Sequence, residues 1–597
     1  MKLKHIALAL ALLSTTAASA LIKSEWADKV TPENVWQQYP RPNMARADWQ
    51  NLNGEWNYAI TPVNSAKPAA YDGKILVPFP VESQLSGVEK RVGENNELWY
   101  NRTFKVPSAW NGKDVLLNFG AVDWRTTVWV NGVQVGSHEG GYTPFSFNIT
   151  DALRKGENEL TVRVWDPTEK GTQPIGKQIS RPNGIWYTPV TGIWQTVWLE
   201  PVAKTHIAGL KITPDVDAKE LNVKVDAPAG IATVEVLDGG KVVAKGSAPA
   251  GQNIEVQMPA DMKLWDTQNP NIYDLKVTLA QNGKTVDKVD SYAAMRKVGM
   301  RRDKEGVIRF TLNDKDIFHF GPLDQGWWPD GLYTDPSYEA MVYDIDKTKD
   351  LGFNMIRKHI KIEPALWYEY CDRNGVLVWQ DMPSADIHGG FIWQNHNYFR
   401  GPEKGRSEES DRQFRSEWKE IMDKFHNYPS IVVWVPFNEG WGQYNTKEIV
   451  KWTKDYDPSR LVNAASGGNF HYDAGDIMDV HNYPAPRIYL LSDDQANVIG
   501  EYGGIGRPVE GHVWQDTDNW GYIQFPTAEA VTAEYLKYID ILRDLAKIAY
   551  TGAVYTQTTD VEVETNGFMT YDRKVMKVDE KKVAEANRKV IEDFSQK

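Results

Sequence analysis

The chain has 597 residues, about four times the length that one domain usually needs, so several separate cores are expected. Its apolar share of 41% and its charged share of 25% are ordinary for globular proteins and exclude a disordered or fibrous chain. The formal net charge is −13 without long basic runs, which excludes nucleic acid and anionic lipid as expected partners. The 24 Trp, 27 Tyr and 18 Phe suit both sugar rings and large β cores, so composition alone does not separate those uses.

The first twenty residues are typical of a secretory signal. A basic head with Lys2 and Lys4 precedes an apolar run at 6–13, and small residues lead to a cleavage site after Ala20. The apolar run is far shorter than the ~20 residues that span a bilayer, which counts against a membrane anchor. We expect residues 1–20 to be a signal peptide, the mature protein to be periplasmic or secreted, and no later segment to cross a membrane. Cys371 is the only cysteine, which excludes an intrachain disulfide.

The first half of the mature chain predicts β-sandwiches. Residues 21–202 contain short alternating segments separated by turn residues, and Asn131-Gly132 is typical of a two-residue hairpin turn. This pattern favours a jelly-roll β-sandwich of the sugar-binding type. Residues 203–295 continue with strands over about ninety residues, which favours an immunoglobulin-like β-sandwich.

Residues 296–597 change character, because short apolar segments alternate there with amphipathic helical patterns. Eight such segments in about 300 residues predict a C-terminal (β/α)₈ TIM barrel that carries the catalytic site. The predicted strands lie at 316–320, 355–358, 376–380, 431–437, 461–464, 477–480, 498–500 and 552–556. The predicted helices lie at 337–350, 363–374, 408–425, 446–455, 527–549 and 579–594.

Two carboxylates at the ends of separate predicted strands are the candidate catalytic pair, Glu439 and Glu501. TIM-barrel enzymes carry their reactive groups at the C-terminal ends of the strands. Cleavage of a glycosidic bond needs one carboxyl group protonated and a second one ionised. Other polar or aromatic residues at strand ends are candidate substrate contacts: Asp324, His359, Asp381, Asn438, His481, Tyr483 and Tyr555.

An Asn-Glu pair is weak evidence by itself, since such pairs also occur at 96–97 and 158–159. The pair at 438–439 differs because it follows the apolar run at 431–437. Placing a carboxylate at the end of a buried strand costs free energy, so an acid in this position is expected to have a function.

Several longer motifs make the chain resemble family 2 of the glycoside hydrolases, which contains β-galactosidases, β-glucuronidases and β-mannosidases. The motifs cover nearly the whole mature chain and lie at 49–56, 77–83, 99–104, 192–199, 354–359, 434–440 and 500–503. By this resemblance Glu439 is the acid/base, Glu501 is the nucleophile, and Asn438 binds the sugar hydroxyl next to the anomeric carbon. The resemblance also raises His359 as a substrate contact, whereas a tyrosine near the nucleophile, Tyr483, could hold its carboxylate.

The resemblance implies a retaining exo-β-glycosidase, most closely a β-galactosidase, that needs no cofactor or metal ion. A β-glucuronidase is the alternative, although the Asn-x-Lys that grips a sugar carboxylate is missing from the acidic stretch at 561–567. Asp386 and His388 resemble part of a magnesium site in some β-galactosidases, with a loop-stabilising contact as the other interpretation. A homo-oligomer is left open.

Two further classes compete with the enzyme. A non-catalytic carbohydrate-binding protein would have lost one of the two carboxylates, and both are present. A secreted adhesin would have β modules throughout, and the helical half counts against it. For the enzyme we expect the carboxyl groups ~5–5.5 Å apart, and a pKa of Glu439 raised by the nearby charge of Glu501.

Overall fold

A computed structural model describes residues 22–388, 392, 394 and 396–595 of the chain. The predicted signal peptide at 1–20 lies outside the described residues. Across those residues, no helix combines the length and the apolar character that a membrane crossing requires.

The first region is a β-sandwich in which a six-stranded and a four-stranded antiparallel sheet share one apolar core. The Asn131-Gly132 turn is confirmed, since it joins two paired strands with φ values of 52° and 81°. Short 3₁₀ turns lie at Ala27–Lys29, Pro42–Met44, Ser108–Trp110, Thr150–Ala152 and Thr168–Lys170. The strands are Gln50–Asn51, Gly54–Pro62, Gly73–Val77, Asn96–Lys105, Asp114–Phe119, Val122–Asp123, Arg125–Val130, Val133–Glu139, Phe145–Asn148, Glu157–Trp165, Gly192–Ile193 and Val197–Val202.

The second region is a smaller sandwich of a three-stranded and a four-stranded antiparallel sheet. Alternate residues along its strands are buried, as expected for sheets with one solvated face. Its strands are Gly209–Asp215, Glu220–Asp226, Ile231–Asp238, Lys241–Pro249, Asn253–Gln257, Tyr273–Gln281 and Lys284–Ala293. A three-stranded sheet of Val298–Arg302, Ile308–Leu312 and Lys315–Asp316 follows.

The third region is a parallel eight-stranded barrel. Around the barrel the strand order is fifth, fourth, third, second, first, eighth, seventh, sixth, and a parallel bridge between Asn463 and Ile477 almost closes the ring. The strands, first to eighth, are His319–Asp324, Met355–Lys358, Leu377–Asp381, Ile431–Val435, Leu461–Val462, Ile477–His481, Ala496–Gly503 and Tyr550–Thr556. A two-stranded sheet of Ile505–Gly506 and Ile523–Gln524 lies beyond the seventh strand.

The described residues of the barrel region form seven helices: α1 Tyr338–Asp350, α2 Ala365–Asn374, α3 Glu408–Phe425, α4 Glu439–Gly442, α5 Thr446–Tyr456, α6 Ala528–Ile548 and α7 Glu580–Ser595. Three of the long helices begin at a side-chain cap, where Ser337, Ser407 and Thr527 accept a hydrogen bond from a backbone N–H of the first turn. Such caps satisfy an amide that the helix itself leaves unpaired. The bounds of the predicted helices agree closely with those of α1–α3 and α5–α7.

The first barrel strand corrects the sequence prediction. The segment 316–320 combines the end of the preceding hairpin with the start of the true strand, which runs from His319 to Asp324. Residues 317 and 318, which belong to no strand, separate the two parts. Lys315–Asp316 pairs antiparallel with Ile308–Leu312, outside the barrel. Asp324 is consequently the last residue of the strand.

Candidate active site

The two predicted carboxylates meet at the C-terminal end of the barrel. Glu439 is the first residue of α4 and is separated from the fourth strand by residues 436–438, and Glu501 lies near the end of the seventh strand. One oxygen of each carboxylate and a ring nitrogen of His481 all lie within 4.8 Å of one another. Glu439 has a left-handed backbone with φ of 52°, and its N–H donates to the Ser466 carbonyl at 2.8 Å.

Two glycines make room for this arrangement. A Cβ on Gly468 would lie 2.6 Å from the backbone carbonyl carbon of Glu439, and one on Gly467 would lie 2.6 Å from Nδ1 of His481. Both glycines also have positive φ, at 65° for Gly467 and 83° for Gly468. A side chain at either position would therefore be strained and would displace a residue of the site.

Two donors hold the carboxylate of Glu501. Nη1 of Arg357 donates to Oε1 at 3.1 Å, and the hydroxyl of Tyr483 donates to Oε2 at 2.7 Å. Tyr483 is itself fixed by a contact of 2.7 Å with the Thr556 hydroxyl and by parallel stacking on Tyr522, with ring centroids 3.7 Å apart. Charge-assisted hydrogen bonds of this kind fix the position of the carboxylate.

A fully buried arginine connects the strand ends. Arg357 on the second strand donates to both oxygens of Asp381 on the third strand, at 3.2 and 2.9 Å, and to Oδ1 of Asn438 at 2.6 Å. Nδ1 of His359 lies 2.8 Å from Oδ2 of Asp381. Asp381 has no exposed surface, so it positions Arg357 and His359 rather than contacting substrate, contrary to the predicted role.

Burial shifts the pKa values of both Asp381 and His359. Burial raises the pKa of Asp381 to about 6, against the opposing charge of Arg357. Burial also holds the pKa of His359 well below its usual value, and the nearby cations Lys177 and Arg357 add to that effect. Neutral His359 with Nδ1–H donating to Asp381 keeps Nε2 as an acceptor, which is the group a sugar hydroxyl needs.

Glu439 has two neighbours of its own. Nε1 of Trp441 donates to Oε2 at 2.9 Å, and Nδ1 of His481 lies 3.1 Å from Oε1. The same Nδ1 lies 3.4 Å from Oε2 of Glu501. His481 therefore stands between the two carboxylates.

The predicted rise in the pKa of Glu439 is wrong, and the position of His481 explains why. Burial alone would raise that pKa, but the hydrogen bond and the charge of His481 bring it below its ordinary value. Burial lowers the pKa of His481, and the charges of Glu501 and Glu439 outweigh this and raise it. The imidazolium thus offsets the repulsion on which the sequence expectation rested, and the proton rests on His481.

Asp324, a predicted substrate contact, belongs instead to a buried ion-pair cluster. Its Oδ2 accepts from Nζ of Lys358 at 2.7 Å, and its Oδ1 accepts from the Gly326 amide at 3.0 Å. Lys358 also donates to Glu363 at 2.7 Å. These contacts hold both oxygens of the Asp324 carboxylate within the cluster.

Tyr555, another predicted contact, points away from the site. Its ring packs against Tyr535 and Phe568, with ring centroids 4.9 and 4.4 Å away, in a buried aromatic cluster. Successive side chains of a strand point to opposite faces. The next residue, Thr556, is the one that reaches the site, where it contacts Tyr483.

The sandwich domain contributes residues that the sequence analysis missed. Trp186 packs edge-on against Trp441, with ring centroids 5.2 Å apart, and the Tyr187 hydroxyl donates to Glu564. Lys177 lies in the same loop region, with Nζ 5.8 Å from the centre of the Tyr187 ring. No periodic or spacing signal marks these positions in the sequence.

The residues with metal-ligating groups have other partners. The Asp386 carboxylate lies 3.5 Å from Nζ of Lys404 and 3.9 Å from Nε of Arg406, whose positive charges oppose a divalent cation. Nε2 of His388 lies 2.7 Å from the Gly171 carbonyl, which favours the loop-stabilising interpretation.

Among the described residues, the grouping with metal-ligand spacing is the one formed by Glu439, His481 and Glu501. A metal ion there would occupy the oxygens that the two carboxylates need for glycosidic chemistry. These three residues therefore fit proton transfer and nucleophilic attack better than resident metal binding.

Three family models match the chain in sequence order. Residues 71–199 match the sugar binding domain of "Glycosyl hydrolases family 2", residues 205–296 match the model described as "Glycosyl hydrolases family 2", and residues 336–587 match the family's TIM barrel domain. Together they cover most of the chain, which therefore belongs to family 2 of the glycosyl hydrolases. The resemblance and the predicted fold class are confirmed.

The similar proteins include both β-galactosidases and β-glucuronidases. A β-galactosidase of Halalkalibacterium halodurans is 26% identical over 95% of this chain and 59% of its own length. A putative β-glucuronidase of Formosa agariphila is 28% identical over 62% of this chain and 34% of its own length. The chain thus spans between about a third and three fifths of these relatives.

Solved structures with the same fold include β-glucuronidases from Ruminococcus gnavus and Dictyoglomus thermophilum. The first has a TM-score of 0.72 at 18% identity, over 94% of this chain and 99% of its own. The second has a TM-score of 0.70 at 18% identity, with the same coverage. At this identity the match concerns the fold.

Proposed function

We propose that the protein is a retaining β-glycosidase that removes a terminal β-linked sugar by double displacement. The observation that carries this proposal is the approach of Glu439 and Glu501, whose nearest oxygens lie within 4.8 Å. Retaining glycosidases have carboxyl groups about 5–5.5 Å apart, whereas inverting enzymes need about 6.5–9.5 Å to admit a water.

In the first step Glu501 is the nucleophile. Arg357 and Tyr483 hold its carboxylate in place with hydrogen bonds of 3.1 and 2.7 Å. One oxygen attacks the anomeric carbon, and the bond to the leaving oxygen breaks as Glu439 donates a proton to it. That proton comes from Nδ1 of His481, which lies 3.1 Å from Oε1 of Glu439.

In the second step the roles reverse. The covalent ester on Glu501 no longer carries a charge, and Glu439, now ionised, takes a proton from water. The resulting hydroxide attacks the anomeric carbon and releases Glu501. Trp441 stabilises the ionised state of Glu439 through its N–H at 2.9 Å. Two displacements at one carbon return the β configuration.

A β-galactoside is the leading substrate, and a β-glucuronide is the alternative. The relatives bear both names, and the acidic stretch at 561–567 of this chain favours a neutral sugar. We also propose that the protein is exported through the signal at 1–20. Homo-oligomer formation stays a prediction.

The test is a screen of the purified protein against the 4-nitrophenyl β-galactoside, β-glucoside, β-mannoside and β-glucuronide. We expect release of 4-nitrophenol from at least one of them, and loss of that release in Glu501→Ala. Sugar binding without release from any of the four would instead support a non-catalytic carbohydrate-binding protein. A fully active Glu501→Ala variant would contradict the proposed mechanism.

A further inference from the structure

Lys177 is a buried cation that the mechanism does not use. Its side chain belongs to the N-terminal sandwich and is 7% exposed as a residue. Within the part of the chain that the structure describes, Nζ has neither a hydrogen-bond acceptor nor an ion-pair partner, and its one recorded contact is with the Tyr187 ring at 5.8 Å. The ammonium therefore keeps donors that a bound ligand can use.

The surrounding contacts place Lys177 at the catalytic site. The Tyr187 amide donates to the Lys177 carbonyl at 2.8 Å, and the Tyr187 hydroxyl donates to Glu564 on the barrel. The neighbouring Trp186 packs on Trp441, the residue that donates to Glu439. Lys177 is therefore fixed from both sides against the barrel.

Lys177 already has carboxylates around it at longer range. Burial lowers its pKa, and the carboxylates of Glu564, Glu501 and Glu439 oppose that change. The ammonium consequently lacks a hydrogen-bond acceptor rather than a counter-charge. A neutral hydroxyl supplies such an acceptor, whereas a further carboxylate would face both Glu501 and Glu564.

We propose that Lys177 binds a hydroxyl of a neutral terminal sugar and that Glu564 disfavours uronic acids, so that two domains together set substrate specificity. This inference rests on the proposed glycosidase function. The Glu564 carboxylate is fixed in place, because it accepts hydrogen bonds from the Tyr187 hydroxyl and, at 3.0 Å, from Nδ2 of Asn566. Its position is thus rigid, and its charge cannot turn away from an incoming carboxylate.

Two variants and one control test the inference. Lys177→Met removes the ammonium and keeps an apolar stem, and Glu564→Gln removes the charge and keeps an acceptor. Lys170→Met is the matched control, since Lys170 lies in the same loop region but its side chain is 54% exposed and pairs with Glu169. An ion pair whose cation is this exposed contributes little.

The readout is kcat/KM on 4-nitrophenyl β-galactoside, β-glucoside and β-glucuronide, with the melting temperature of each variant. We expect the wild type to prefer a neutral glycoside. Lys177→Met should lower kcat/KM on that glycoside about 10- to 100-fold, the loss of one charged hydrogen bond. Glu564→Gln should narrow the ratio between the neutral glycoside and the glucuronide by about tenfold.

The failures are distinguishable. A wild type that prefers the glucuronide, or a folded Lys177→Met variant that equals Lys170→Met on every substrate, overturns the inference and leaves the glycosidase function intact. A wild type without turnover on any β-glycoside overturns the proposed function and this inference together.

Discussion

Replacing Glu439 by Gln should produce a defect that depends on the leaving group. The amide can accept from Trp441 through its oxygen and donate to neutral His481 through its nitrogen, so the contacts at 2.9 and 3.1 Å have replacements. The variant should consequently fold like the wild type, while the proton for the leaving oxygen is lost. The full loss of rate should therefore appear only for glycosidic bonds whose leaving group needs that proton.

The size of the defect follows from general acid catalysis, which contributes about 10²- to 10⁴-fold. At about 1.36 kcal/mol for each tenfold change, this is roughly 3–5 kcal/mol of barrier for a sugar or alkyl leaving group. A 2,4-dinitrophenyl leaving group departs as a stable anion, so its first step should change little. Glu501→Ala should lose activity on both kinds of substrate, because no leaving group replaces a nucleophile.

The assay is steady-state hydrolysis of methyl and 2,4-dinitrophenyl glycosides of the accepted sugar, with and without sodium azide. Azide should speed turnover of the activated substrate by Glu439→Gln and give a β-glycosyl azide, since it attacks the covalent intermediate without a base. Glu448→Gln is the matched control, with a carboxylate side chain 64% exposed that pairs with Arg415. An equal loss on both substrates, or an α-azide from Glu439→Gln, would refute the assignment.

Three further variants probe the surroundings of the carboxylates. Tyr483→Phe removes a hydrogen bond of 2.7 Å to the nucleophile and should lower kcat about 10- to 100-fold at an unchanged melting temperature; an unchanged kcat would contradict this role. Arg357→Met should lower the free energy of unfolding in urea by about 3–5 kcal/mol at pH 7. That loss should shrink below pH 6, because Asp381, whose pKa is about 6, then takes up a proton; equal losses at pH 7 and 5 would contradict it. His481→Gln removes the group that carries the shared proton, whose pKa is raised by Glu501 and Glu439, and leaves Glu439 as the only acid. The alkaline limb of kcat/KM should therefore move to lower pH, and a shift to higher pH would contradict the shared proton.

The barrel could be predicted from the sequence because each strand is a short apolar run between polar turns. The catalytic candidates could be predicted for the same reason, since Glu439 and Glu501 interrupt buried runs with a charge that burial makes costly. The start of the first strand could not be predicted, because 316–320 is a continuous stretch of sequence whose two ends belong to different sheets.

Side-chain direction was the weaker part of the prediction. Tyr555 and Thr556 are neighbours on the eighth strand, and only pairing with Tyr483 decides which of them faces the site. Proximity to a strand end therefore predicts a region, and a shift of one residue reverses the face. The predicted rise in the pKa of Glu439 was wrong for a similar reason, since the sequence does not show that His481 lies between the two carboxylates.

Contacts between domains could not be predicted at all. Lys177 precedes the barrel by more than one hundred residues and lies in an irregular stretch. Its place beside Glu564 follows from the docking of the sandwich on the barrel, through pairs such as Trp186 with Trp441. No periodicity records that docking.

The stereochemistry of the first product tests the central claim most directly. Proton NMR of the accepted glycoside, recorded in the first minutes of hydrolysis, separates the two anomers before mutarotation mixes them. Because Glu439 and Glu501 lie within 4.8 Å, the account predicts that the β anomer is released first, through a glycosyl ester on Glu501. Initial release of the α anomer would show direct attack by water and would contradict the mechanism.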